Sequence, residues 1–119
     1  MKLYIDCTNG ICTDMVRDAL LDLGADREYL AAQTDCLAAL SHHRTYQEIK
    51  EMLETSPLDP SVRKTALAVY RVMAEAESKV HGEPVERVHF HEVGRDEAIR
   101  NIVAVAAALE NVEIGRAHV

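Results

Sequence analysis

Two short stretches of the sequence carry residue types that could do chemistry. The first is Val88-His89-Phe90-His91-Glu92-Val93-Gly94, which puts two imidazoles and a carboxylate within four consecutive positions in a chain with six histidines. If this stretch is extended, His89 and His91 point to one side and Phe90 to the other, toward the core, so that two imidazoles could share one metal ion. If it is helical, the histidines diverge by ~200° and only His89 and Glu92 share a face. Pro84 before the stretch and Gly94 at its end favour a short extended or single-turn element. Neutral imidazole suits nickel, zinc and copper, and Glu92 could accept an imidazole N–H or ligate directly. The alternative is that one histidine caps a helix and the other is solvated.

The second stretch is Asp6-Cys7-Thr8-Asn9-Gly10-Ile11-Cys12-Thr13-Asp14, read as a strand–loop–helix junction. Asp6 at a strand end and Asp14 in a first helical turn are candidate catalytic carboxylates. Together they could hold a hard cation such as Mg²⁺, while the backbone N–H groups of the helix start would favour an anion. The plainer alternative has Asp6 closing a turn and Asp14 complementing the helix dipole. No P-loop, Cys-based phosphatase loop or paired-Asp phosphatase pattern fits these residues, so a phosphohydrolase reading has no motif behind it. Cys7 and Cys12 lie near a helix start, but two thiols do not close a metal site, and Cys36 falls on an apolar helix face. His42-His43-Arg44 lies on a polar connection, and His81 ends a helix where a positive charge is favoured.

The elements that must position these residues are mostly helices. Leu and Ala are frequent and there is no Trp, a composition that favours packed helices over a β-sandwich. A strand is expected over 2–6, followed by a turn at Asn9-Gly10 and a helix capped by Thr13 or Asp14 that ends at Gly24. Asp26 should cap a second helix carrying Tyr29, Leu30, Cys36, Leu37 and Leu40. Thr45-Tyr46-Gln47-Glu48 fits a capping box opening a short third helix, which Ser56-Pro57 stops. Asp59-Pro60 opens a long fourth helix running to His81-Gly82. A broad apolar stripe from Ala98 to Leu109 marks the fifth, and Val112-Glu113-Ile114 could be a strand pairing with the first. The expected class is mainly α (α+β): a compact bundle of about five helices with one or two short marginal strands.

With 119 residues the chain should form a single domain over 1–119. Its net charge of −7 offers no basic stripe for nucleic acid and disfavours anionic membranes, while remaining compatible with cations. Three cysteines without CxxC spacing exclude a zinc ribbon or a thioredoxin motif. No signal peptide precedes the first strand-like run, and no apolar run reaches the ~18 residues of a membrane helix, so a cytoplasmic location is expected.

The order of these motifs resembles the N-terminal part of the LarC-type nickel-insertion proteins. The matching residues are Asp6-Cys7, Gly10-Ile11, Asp14-Met15, Ala19 to Asp26, His43-Arg44, Ala74 to Glu77, Lys79 to Gly82, Pro84 to Glu86 and Val88 to Gly94. The last block is the most specific. The resemblance implies a metallochaperone-like, CTP-dependent enzyme of the metal chelatase or lyase class. Such an enzyme inserts nickel into a pyridinium bisthiocarboxylic acid mononucleotide during nickel-pincer cofactor biosynthesis. It points to His89, His91 and Glu92, with His43 from another loop, as ligands for nickel or another divalent metal (Mn, Mg or Zn), and to Asp6 and Asp14 beside them.

Family members are several times longer, so a separate LarC C-terminal-type protein is an expected partner, with CTP expected by resemblance alone. The segment ahead of His42 is shorter than in the family, and the family's I-S-G-D reads Ile11-Cys12-Thr13-Asp14 here. Its two Asp residues after Val93-Gly94 fall at Glu97 and Asn101. The alternative function is a non-catalytic helical interaction module that keeps the fold and uses the stripe of the last helix to form a homodimer.

Overall fold

The computed structural model describes residues 4–37, 44–91 and 93–117. Among these residues there are five α-helices: α1 (Thr13–Asp22), α2 (Arg27–Asp35), α3 (Tyr46–Thr55), α4 (Pro60–His81) and α5 (Asp96–Ala117). Two strands of two residues each, β1 (Arg44–Thr45) and β2 (His89–Phe90), pair antiparallel with Arg44 opposite Phe90 and Thr45 opposite His89. The mainly helical expectation therefore holds, but the strands are not the ones the sequence suggested.

Helix α5 is the spine of the fold. Its apolar stripe is wide because three other helices, α1, α2 and α4, pack around it. Ile99, Val103, Ala107 and Ala108 are fully buried, and the alanines let neighbouring backbones approach closely. The stripe expected to form a homodimer surface is thus taken up inside the molecule. The second layer is α3 on α4, where Ile49 and Leu53 meet Val62, Ala66 and Tyr70 in one continuous core.

Local chemistry explains most element boundaries. Asp26 caps α2 by accepting from the Glu28 N–H at 3.0 Å. Thr45 and Glu48 form the reciprocal capping box at the start of α3. Pro60 occupies the first turn of α4, and Gly82 closes it in the left-handed region at φ 66°, where a side chain would be strained.

Several expectations need correction. Helix α2 ends at Asp35, with Cys36 as its C-cap and Leu37 beyond it, while Leu40 lies outside the described residues. Tyr4 to Asp6 is not a strand, and Val112 to Ile114 continues α5 instead of pairing with it. A strand exists only through a hydrogen-bonding neighbour, and once the tail is helical the first segment has none among the described residues. Helix α1 starts one residue earlier than capping by Thr13 or Asp14 would require: Cys12 is the N-cap, its carbonyl accepting from the Val16 N–H at 3.1 Å, with no side-chain cap. Asp59 is the N-cap of α4 but does not cap it with its side chain, which instead accepts from the Tyr29 hydroxyl at 2.6 Å. The Asp59 N–H is satisfied from α2, by the buried Gln33 side chain at 3.0 Å. This contact explains an otherwise costly buried amide on that helix.

Candidate functional site

The histidine stretch leaves α4 through Gly82 and a 3-10 turn at Val85–Arg87, closed by the Arg87 N–H to the Pro84 carbonyl at 3.0 Å. The backbone then becomes extended. Side chains alternate: Val88 is buried, His89 exposed, Phe90 buried and His91 exposed. This is the period-two pattern of a strand with one face on a core, so the extended reading holds. Both imidazoles stand on the solvent side, with their α-carbons roughly 7 Å apart, two strand steps. Imidazole side chains at that spacing can converge on one ion.

Several contacts hold this stretch in place. The Val88 carbonyl accepts from the Tyr46 N–H at 2.8 Å, extending the short ladder at the start of α3. Phe90 packs against Tyr70 of α4, ring centroids 5.8 Å apart and tilted by 59°. The Tyr70 hydroxyl donates to the Val93 carbonyl at 2.8 Å, and burial pushes its phenol well above the ordinary tyrosine value. Tyr70 reads from the sequence only as one more core residue of α4. Nothing in the local pattern signals that it ties down the loop beyond the histidines, because the bond crosses 23 positions. His43 and Glu92 lie outside the described residues.

The Asp6 loop is built differently. The Gly10 N–H donates to the Cys7 carbonyl at 3.0 Å, closing the turn expected at Asn9-Gly10, and Gly10 at φ 89° takes the conformation that favours glycine. The Asp6 carboxylate accepts from the Thr8 hydroxyl and from the Thr8 N–H at 2.9 Å. These two bonds hold its carboxyl below the ordinary aspartate value. Asp14 lies in the first turn of α1, 3.7 Å from the Arg17 guanidinium. Both carboxylates are exposed, as are Cys7 and Cys12. Asp6 borders an open groove of about 240 Å³ whose other walls include Tyr4, Ile11, Met15 and Leu20 and no histidine. Among the described residues no group of three or more His, Cys, Asp or Glu side chains gathers around a common point.

Cys36, half-buried at the end of α2, donates to the Gln33 carbonyl at 3.0 Å, and burial raises its thiol above the ordinary value. It belongs to the packing, as its place on an apolar face suggested. No helix among the described residues is long and apolar enough to cross a membrane.

Comparison with known proteins bears on the whole chain. A family model described as nickel insertion protein matches residues 3–41 and 37–119. The pyridinium-3,5-bisthiocarboxylic acid mononucleotide nickel insertion protein of Akkermansia muciniphila is 35% identical, over 94% of this chain and 36% of its own length. The protein of the same name from Staphylococcus saprophyticus is 33% identical, over 94% of this chain and 35% of its own. The chain thus spans about a third of the length of these curated relatives. The first alignment runs over 147 positions, more than the 119 residues here, so some residues of the relative have no counterpart. The two matched stretches overlap at 37–41. No solved structure matches the chain. The family-model match over residues 3–119, with relatives 33–35% identical over 94% of the chain, establishes that this chain belongs to the nickel insertion protein family.

Proposed function

We propose that this chain is a metal-receiving part of a nickel insertion protein, in which His89 and His91 present an open imidazole pair to nickel on its way into a pyridinium-type mononucleotide. The observation that carries this reading is the alternation along Val88 to His91. Phe90 is locked in the core, so both imidazoles project to solvent from a braced backbone. Two imidazoles leave most of the coordination shell free for further ligands, which suits an ion that must be handed on. Glu92, next in the chain, is a candidate further ligand. So is His43, joined by one peptide bond to Arg44, which pairs with Phe90. Asp6 and Asp14 would act from their own loop, on a cation or on the incoming partner. Because the relatives are about three times longer, the insertion step itself, and any use of CTP, would fall to a further protein part working with this one.

Equilibrium dialysis against Ni²⁺ tests the proposal. Near-stoichiometric binding is expected for the natural chain and loss of that binding for the His89→Ala/His91→Ala variant. The variant should still fold, since both side chains are exposed and the core residues Val88 and Phe90 are unchanged. Unchanged nickel binding in the double variant would sink the idea.

A second reading, a non-catalytic homodimeric module, is favoured by a different surface from the one the sequence suggested. Val72 and Val80 on α4 are 67% and 77% exposed, and a shallow cleft of about 680 Å³ lies between α4 and Glu110 of α5. Light scattering that shows a dilution-resistant dimer, with a melting temperature indifferent to metal, would favour it.

A further inference from the structure

A third polar feature adjoins the second stretch, through Arg17, which lies 3.7 Å from Asp14. Helices α1, α2 and α5 meet around a cleft of about 270 Å³ lined by Arg17, Arg27 and Arg100, with Thr34 and Asn101. The buried Leu30 and Ala104 also line it, and no carboxylate does. In a chain of net charge −7, three guanidiniums around one small cleft are out of keeping with the rest of the surface.

Their pairing makes the point sharper. Among the described residues Arg27 and Arg100 make no ion pair. Arg17 has only long contacts, to Asp14 at 3.7 Å and Asp18 at 3.4 Å, both exposed. Its guanidinium also donates to the Asn101 Oδ1 at 3.3 Å, which turns a neutral group, not a carboxylate, toward the cleft. Arg27 is moreover the first residue of α2, the end of a helix where the backbone dipole opposes a cation and favours an anion. A residue placed against its local preference needs a compensating partner.

We propose that this cleft binds the phosphate group of a small phosphorylated molecule. Guanidinium forks match phosphate oxygens in bidentate fashion, and the three terminal oxygens of a phosphate monoester give each fork an acceptor, which the two oxygens of a carboxylate would not. The volume lies below that of a typical drug-sized pocket, fitting one charged group better than a peptide. A polyanion such as nucleic acid would meet the net negative charge of the rest of the chain. The inference stands independently of the histidine pair.

Calorimetric titration of the chain with inorganic phosphate and with a nucleoside 5′-monophosphate tests this, with sodium chloride at matched ionic strength as the control. One saturable site is expected for both phosphate probes. Equal affinities would assign the cleft to free phosphate and a tighter monophosphate to the ester. Arg27→Ala and Arg100→Ala, both at exposed positions, should each weaken binding about tenfold or more. Asn101→Asp should do the same by placing a carboxylate against Arg17. Arg71→Ala, whose guanidinium pairs with Glu75 on α4, should bind as the natural chain does, and so should His89→Ala/His91→Ala. Absence of saturable heat, an equal response to chloride, or full binding by the Arg27→Ala/Arg100→Ala variant would overturn the proposal.

Discussion

The Asp6 loop and the histidine stretch carry similar numbers of metal-capable groups but are held by different physics. The histidines are fixed from behind. Phe90 between them is buried at 3% exposure, Val88 at 1%, and Tyr70 bonds the backbone just beyond. The Asp6 loop is held by bonds within itself, Thr8 to Asp6 and Gly10 to Cys7, while Tyr4, Ile5 and Ile11 remain exposed. A ligand pair must keep its geometry when the ion leaves, and that requires packing behind it. Local hydrogen bonds can shape a turn, but in water each contributes little because solvent competes for the same groups. The histidine stretch therefore has a backbone braced from the core, which the Asp6 loop lacks.

This contrast can be broken by mutation. Phe90→Ala should have the largest effect, destabilising the chain by about 3–5 kcal/mol, because a large buried ring leaves a cavity beside Tyr70. Urea denaturation measures it, and a loss below ~1 kcal/mol would mean that the histidines are not braced from the core. Tyr70→Phe should come next, at about 1–3 kcal/mol, since the Val93 carbonyl loses its donor while the ring stays in place. Hydrogen exchange should then rise around Phe90 and Val93 more than in α1. An even rise across the chain would show that Tyr70 serves the core in general and not the histidine stretch.

Thr8→Ala should have the smallest effect. It removes the bond that contributes most to lowering the Asp6 carboxyl, so the Asp6 titration, followed by carboxyl-carbon NMR, should move up toward the ordinary aspartate value. In the natural chain the folded value lies below the unfolded one. The stabilisation from Asp6 is therefore present above the unfolded pKa and is lost as pH falls through the folded pKa. Because Asp6 is fully exposed, the melting temperature near neutrality should barely change. A melting shift as large as that of Phe90→Ala would erase the distinction between the two regions.

Local signals in the sequence were reliable where one short segment contains the whole interaction. The Thr45–Glu48 capping box, the Asp26 cap, Pro60 and Gly82 all lie where their patterns put them. The alternation of Val88 to His91 was likewise readable, because strand periodicity is a property of adjacent residues. Patterns that depended on a distant partner misled. Tyr4 to Asp6 resembles a strand in composition, yet no neighbour among the described residues pairs with it. Asp59 looks like a cap, but Tyr29, thirty positions away, takes its carboxylate. The broad stripe of α5 suggested a surface for a second copy, whereas three helices of the same chain cover it.

The sequence by itself determined the helical class, several helix caps and stops and the family, since these rest on short-range chemistry and on an ordered string of residues. Only the tertiary structure decided which strands form and that Tyr70 braces the histidine segment. It alone brought Arg17, Arg27 and Arg100 to one cleft from three helices. Residues so far apart along the chain meet only after α1 and α2 have packed on α5, because their meeting is set by the burial of apolar faces and not by any pattern among the arginines themselves.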